Sequence, residues 1–142
     1  MARLKLQISG KSVHQVHIPV RITEINYGNH TGNDALVGII HEARVNWLHQ
    51  QQFTELNIDG IALIMADLCI VFKNESFYGD VLQVEIFADE ITAKSFELFY
   101  NIITTRNQST LTVAIAKTSM LGFDYKSKKI VELSPALLKM VQ

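Results

Sequence analysis

From Asp34 to about Phe53 the apolar residues recur at helical spacing, and this one long helix dictates what the rest of the chain must supply. Leu36, Ile40, Ala43 and Trp47 fall at i, i+4, i+7 and i+11, and Ile39 and Leu48 widen the stripe. The pattern predicts a helix of roughly five turns. Asn33 or Asp34 is positioned to cap its exposed N–H groups, and Asp34 suits the positive end of the helix dipole.

Most of the chain beyond this helix has the character of β-strand. Residues 61–73 (IALIMADLCIVFK), 81–91 (VLQVEIFADEI), 95–106 (SFELFYNIITTR) and 110–123 (TLTVAIAKTSMLGF) are rich in β-branched and aromatic residues. Short connections, ESFYGD, TAK and NQS, make them a meander. Before the helix, RLKLQI, the turn-forming SGKS and VHQVHIPVRIT predict a hairpin over residues 3–22. At the other end KSKK turns the chain, and SPALLKMV starts a terminal helix with Ser-Pro at the N-cap and first helical position. One broad-striped helix beside an antiparallel meander is an α+β layout, in which a curved sheet must cover the helix.

The 142 residues show no repeat, low-complexity tract or linker and fit one domain, 1–142, large enough to bury about 68–70% of its unfolded surface. Thirteen Lys+Arg against fourteen Asp+Glu give a formal charge of -1 with no run of either sign, which argues against nucleic acid and acidic membrane surfaces as partners. The single cysteine, Cys69, can form neither an intrachain disulfide nor a zinc cage alone. No stretch approaches the roughly 18 apolar residues of a membrane span. These features point to a soluble, cytoplasmic protein without membrane insertion.

The polar residues divide into ordinary positions and candidates. His14 and His17 are three apart on a strand and face opposite ways, and His41 and His49 lie two helical turns apart, so neither pair suits one metal. Asp67 interrupts an apolar strand, where a charge must be exposed, paired or part of a site. Glu42, beside Arg44 and after His41, fits either a solvated helix flank or a site. Glu24, two residues before Asn26, shares its face if the backbone is extended. The segment TEINYGNHTGNDA, residues 23–35, is more specific. Gly28 and Gly32 permit turns, and Asn26, Asn29, His30 and Asn33 place hydrogen-bonding groups just before a helix N-terminus. The free N–H groups there could polarise a carbonyl oxygen as negative charge builds on it. Residue types alone leave an ordinary connection and a site both open.

The stretch VRITEINYGNHTGNDALVGIIHEARVNWL, with its Gly-x-His turn, Asn and downstream Glu-Ala-Arg, resembles the hotdog-fold thioesterases, particularly the branch similar to 4-hydroxybenzoyl-CoA thioesterase. The order of elements fits through ADLCIVFKNESFYGDVLQVEIF and SFELFYNI to a last strand ending in GFD, so the resemblance covers nearly the whole chain. It implies a curved antiparallel sheet wrapped around the central helix, assembled as a homodimer or homotetramer. The strand at 61–73 would pair with its symmetry mate, and the site would form between subunits with Asp67 near the seam.

The activity implied is hydrolysis of an acyl-CoA or acyl-carrier-protein thioester, which needs no cofactor or metal. Where that branch often carries a loop carboxylate, this chain has Asn26, and a neutral amide cannot act as nucleophile or base. Other hotdog thioesterases use a loop amide with a carboxylate about two turns down the helix. Counted from Asn26, that arrangement makes the Asn33 backbone N–H the oxyanion donor and brings His41 and Glu42 forward as bases, with Asn26 and His30 shaping the site. The rival expectation is a hotdog protein that binds an acyl thioester or acyl carrier protein without hydrolysing it. A hydroxyacyl dehydratase matches the polar segment less well.

Overall fold

The computed structural model describes all 142 residues. Its elements are β1 (Lys11–Pro19), a 3-10 turn (Ile22–Glu24), α1 (Asn33–Gln50), β2 (Ala62–Phe72), β3 (Val81–Asp89), β4 (Ser95–Arg106), β5 (Ser109–Asp124), β6 (Lys129–Ile130) and α2 (Pro135–Val141). The strands form one antiparallel sheet in the order β1-β3-β4-β5-β2, with β6 added to β5.

The expected hairpin over 3–22 does not form. Only β1 is a strand, and its partner is β3, from Lys11 opposite Ala88 to Pro19 opposite Val81. RLKLQI alternates like a strand, but Gly10, at φ +93°, sits against the Ala88 carbonyl and turns the chain at the start of the ladder. β1 is an edge strand whose outer side stays unpaired, so residues 1–9 fail to pair although an edge is open to them. Residues 1–9 carry no regular structure, and Arg3 Nη2 donates to the Phe72 carbonyl at 3.2 Å.

Alternation places Leu82, Val84, Ile86 and Ala88 of β3, and Phe96, Leu98, Tyr100 and Ile102 of β4, on the buried face. Against them lies the stripe of α1, with Leu36, Ile39, Ile40, Ala43, Trp47 and Leu48 all buried. Ala114 and Ala116 on β5 are small where the β4 residues beside them are large, so inward side chains interdigitate. Ser134 accepts from the Leu137 N–H at 3.3 Å, and α2 buries Leu137 and Val141 in the same core. At α1 the cap differs from expectation. Gly32 is the N-cap, extended and without a side-chain bond, while the Asn33 amide oxygen accepts from the Asp34 N–H at 2.7 Å. No helix is long and apolar enough to cross a membrane.

Candidate active site

The segment before α1 is a closed loop organised by one side chain. Ile25 bridges to Thr31, and the Asn26 N–H donates to the His30 carbonyl at 2.9 Å. Inside this ring Asn26 Oδ1 accepts from the N–H groups of Gly28 at 2.9 Å and His30 at 3.5 Å, the side-chain turn that asparagine favours. Asn29 takes the left-handed conformation at φ 66°. A Cβ on residue 28 would lie 3.1 Å from His30 Nε2, so glycine leaves room for the ring. Behind the loop Glu24 is buried, accepts from the Arg21 N–H at 2.8 Å, and offers its own carbonyl to the Gly32 N–H at 3.0 Å.

A second loop faces the first. Thr31 N–H donates to the Ser76 carbonyl at 2.8 Å, and Ser76 Oγ donates to Thr31 Oγ1 at 2.7 Å, with both residues buried. Arg106, from the end of β4, braces this loop by donating to the Glu75 carbonyl at 2.7 Å, stacking over Phe77 at 4.9 Å and approaching the Asp80 carboxylate at 3.2 Å. The two loops, the first turn of α1 and the end of β2 enclose a cavity of about 760 Å³. Its wall includes Asn26, His30, Asn33, Asp34, Phe72 and Glu75. A further hollow shares Asn33, Asp34 and Phe72 and adds Val37, Leu68 and Ile70, so apolar surface continues from the cavity between α1 and β2. A polar loop leading to an apolar groove suits a ligand with a polar reacting centre and an apolar tail.

Two features give the cavity chemical character. Asn33 is the first residue of α1, and its backbone N–H has no partner in the chain. That group lies at the positive end of the helix and can stabilise a developing oxyanion. His30 Nδ1 lies 3.1 Å from the Thr31 carbonyl oxygen, and its Nε2 lies 3.9 Å from the Glu75 carboxylate.

Of the five residues the sequence proposes for the site, Asn26, His30 and Asn33 line this cavity and His41 and Glu42 do not. His41 Nε2 approaches Glu55 at 3.3 Å, and Glu42 lies in a separate hollow with Arg21, Thr23 and Gly38. Two turns along the helix, His41 has moved away from the N-terminal mouth to the side of α1 that faces Met65 and Leu68 of β2, and Glu42 has turned to another face of the helix. Below His41 sits a different cluster. Arg44 donates to Glu55 at 3.1 Å and to the Tyr100 hydroxyl at 3.2 Å, and that hydroxyl lies 2.9 Å from Thr118 Oγ1. Burial alone would lower the Arg44 pKa, but Tyr100 and Glu55 outweigh it and hold it above its ordinary value. Burial raises that of Tyr100, against the opposing pull of Arg44 and Thr118.

Asp67 is exposed on β2, away from the cavity, where its Oδ1 accepts from Lys117 at 3.1 Å and the Ser119 N–H at 3.2 Å. The Lys117 bond is the main cause of its lowered pKa. Sequence reasoning missed Phe72, Lys73, Asn74, Glu75 and Ser76, which form the opposite wall. ESFYGD has the composition of a plain turn, and only its two adjacent aromatic residues hint at more.

Residues 20–141 match the profile of the Thioesterase-like superfamily, and the chain belongs to that family. Its fold is the hotdog fold, an antiparallel sheet on one long helix, shared with several solved structures. A 1,4-dihydroxy-2-naphthoyl-CoA thioesterase from Synechocystis superposes with a TM-score of 0.79 at 19% identity, over 89% of this chain and 93% of the other. A DHNA-CoA thioesterase from Staphylococcus aureus gives 0.77 at 15%, over 89% and 86%. An aspartate-to-asparagine mutant of 4-hydroxybenzoyl-CoA thioesterase, complexed with 4-hydroxybenzoyl-CoA, gives 0.80 at 15%, over 94% and 100%. Comparison with curated protein sequences finds no match.

Proposed function

We propose that this protein is an acyl-CoA thioesterase, hydrolysing a thioester to a free acid and CoA. The observation that carries this reading is the unpartnered N–H of Asn33, a residue that lines, at the start of α1, a cavity of about 760 Å³ with an apolar extension. In the proposed complex the thioester carbonyl oxygen lies at that N–H, and the acyl group follows the groove past Val37, Leu68 and Ile70. Asn26 holds the loop rather than attacking, because its Oδ1 is occupied by two backbone N–H groups. Thiol release from a panel of acyl-CoAs of varied chain length and aromatic content tests the assignment. Saturable binding without turnover would sink it.

That outcome would favour a second reading, a hotdog protein that binds an acyl-CoA or acyl-carrier-protein thioester without cleaving it. Asn26 is the observation in its favour, since a structural neighbour with an aspartate-to-asparagine change is complexed with its thioester. Asn26→Asp discriminates: a gain in hydrolysis means that the loop was intact and lacked only a carboxylate.

The functional unit in this proposal is a homodimer or a pair of dimers. The free edge of β2 exposes Met65 and Phe72 at 43% and 44%, and an unpaired edge of eleven residues invites a second strand. Analytical ultracentrifugation across a range of concentrations reads the assembly directly.

A further inference from the structure

We infer that His30 is the general base of this site and that Glu75, on the facing loop, is its positioning partner; the inference rests on the thioesterase reading above. The hydrogen bond at Nδ1 sets the protonation pattern. A carbonyl oxygen can only accept, so the contact with the Thr31 carbonyl at 3.1 Å requires the proton on Nδ1. In neutral imidazole the lone pair is then on Nε2, the atom nearer Glu75. A base needs that orientation, and the backbone of the next residue holds it.

Four further features support the assignment. The Asn26 side chain and the clearance at Gly28 fix the loop around the ring. The Glu75 carboxylate, 3.9 Å from Nε2, lies beyond direct hydrogen-bond reach, cannot donate to the Nε2 lone pair, and is close enough to stabilise the imidazolium that forms when Nε2 takes a proton. The backbone of Glu75 is held by Arg106 on its carbonyl and by the Thr31–Ser76 clasp next to it, and its side chain is exposed. Among the five residues drawn from the sequence, His30 is the one titratable side chain that lines the cavity with Asn33.

The step balances with water as the only co-reactant. Nε2 takes a proton from a water molecule whose oxygen bonds to the thioester carbon, and the carbonyl electron pair moves to oxygen, held by the Asn33 N–H. The tetrahedral species collapses, the C–S bond breaks with its electron pair on sulfur, and the thiolate takes the proton from Nε2. The products are a carboxylic acid and a thiol, and His30 is again neutral.

The experiment uses the full-length protein and the acyl-CoA it turns over fastest. His30→Ala is expected to lower kcat by about 10²–10⁴-fold, with partial recovery on adding imidazole, which a merely structural histidine would not show. Glu75→Gln is expected to lower kcat about tenfold with KM unchanged, as for a group felt mainly in the transition state. Asp34, the other cavity carboxylate, is the rival base. Loss of turnover in Asp34→Asn together with near wild-type kcat in His30→Ala would overturn the assignment. Nitrogen-15 shifts of the wild-type imidazole give a readout independent of turnover, in which a proton on Nε2 of neutral His30 also overturns it. A wild-type protein inactive on every acyl-CoA defeats the thioesterase reading itself, and the base assignment with it. Activity that survives His30→Ala defeats the base assignment alone.

Discussion

Helix α1 carries polar clusters at two places, and they are built on opposite principles. At its middle Arg44, Glu55, Tyr100 and Thr118 form a closed chain in which the buried donors and acceptors answer one another. At its start Asn33 offers an N–H with no partner, beside a histidine whose Nε2 makes no direct hydrogen bond within the chain. A satisfied network in a low-dielectric interior fixes the structure, whereas unsatisfied groups lining a cavity are held ready for something else. Both clusters draw on the same helix, and the difference lies in connectivity.

The sharpest way to break the contrast is Asn33→Pro. Proline at the first helical position removes the N–H while leaving the helix intact, and Gly32, extended at φ -68° and ψ 151°, already has a conformation acceptable before proline. On the thioesterase reading kcat falls by about 10²–10³-fold, while Asn33→Ala, which keeps the donor, stays close to wild type. Circular dichroism should show the same helix content in both.

Opening the closed cluster should do the reverse. Arg44→Met removes a buried charge and leaves Glu55 partly exposed, so it can rehydrate. The cost should be about 2–3 kcal/mol, below the ~3–5 kcal/mol of a fully buried broken pair. Urea unfolding at neutral pH measures it, and kcat of the folded fraction should be nearly unchanged.

Thr31→Val probes the seam between the loops by leaving the buried Ser76 hydroxyl without its acceptor. A loss of about 1–2 kcal/mol is expected, accompanied by a raised KM as the facing wall loosens.

The smallest effect belongs to the surface pair of Asp67 and Lys117. The depressed Asp67 pKa means that its contribution is present above the unfolded-state pKa. It begins to fade near the ordinary value of 3.8 and is lost as pH falls through the lower folded-state value. Asp67→Asn should therefore flatten the acid limb of the stability curve below about pH 4, with little change in urea midpoint at neutral pH because the pair is solvent-screened.

The helix, the four long strands and the terminal helix were legible because each is a long periodic segment whose apolar residues decide its buried face. RLKLQI shows where that logic ends: alternation allows a strand but does not say where the chain goes beyond a turn, and past Gly10 residues 1–9 leave the outer edge of β1 unpaired. On the cavity wall, Asn26, His30 and Asn33 were legible because they are close in sequence and abut a helix start. Glu75 and Ser76 were not, since their place opposite His30 and Thr31 depends on where the whole of β2 carries the chain. Position along the helix could not separate His41 and Glu42 from the cavity wall, because the sequence does not give the depth of the cavity.

Phe72 belongs at once to the free edge of the sheet and to the wall of the cavity. Whatever pairs with that edge therefore touches a surface that a ligand also touches, and the two events share a free-energy term. Linkage makes the effect reciprocal: if edge pairing tightens ligand binding by some factor, the ligand tightens edge pairing by the same factor. Measured affinity should then vary with protein concentration, and measured association with ligand, through one aromatic residue at the end of one strand.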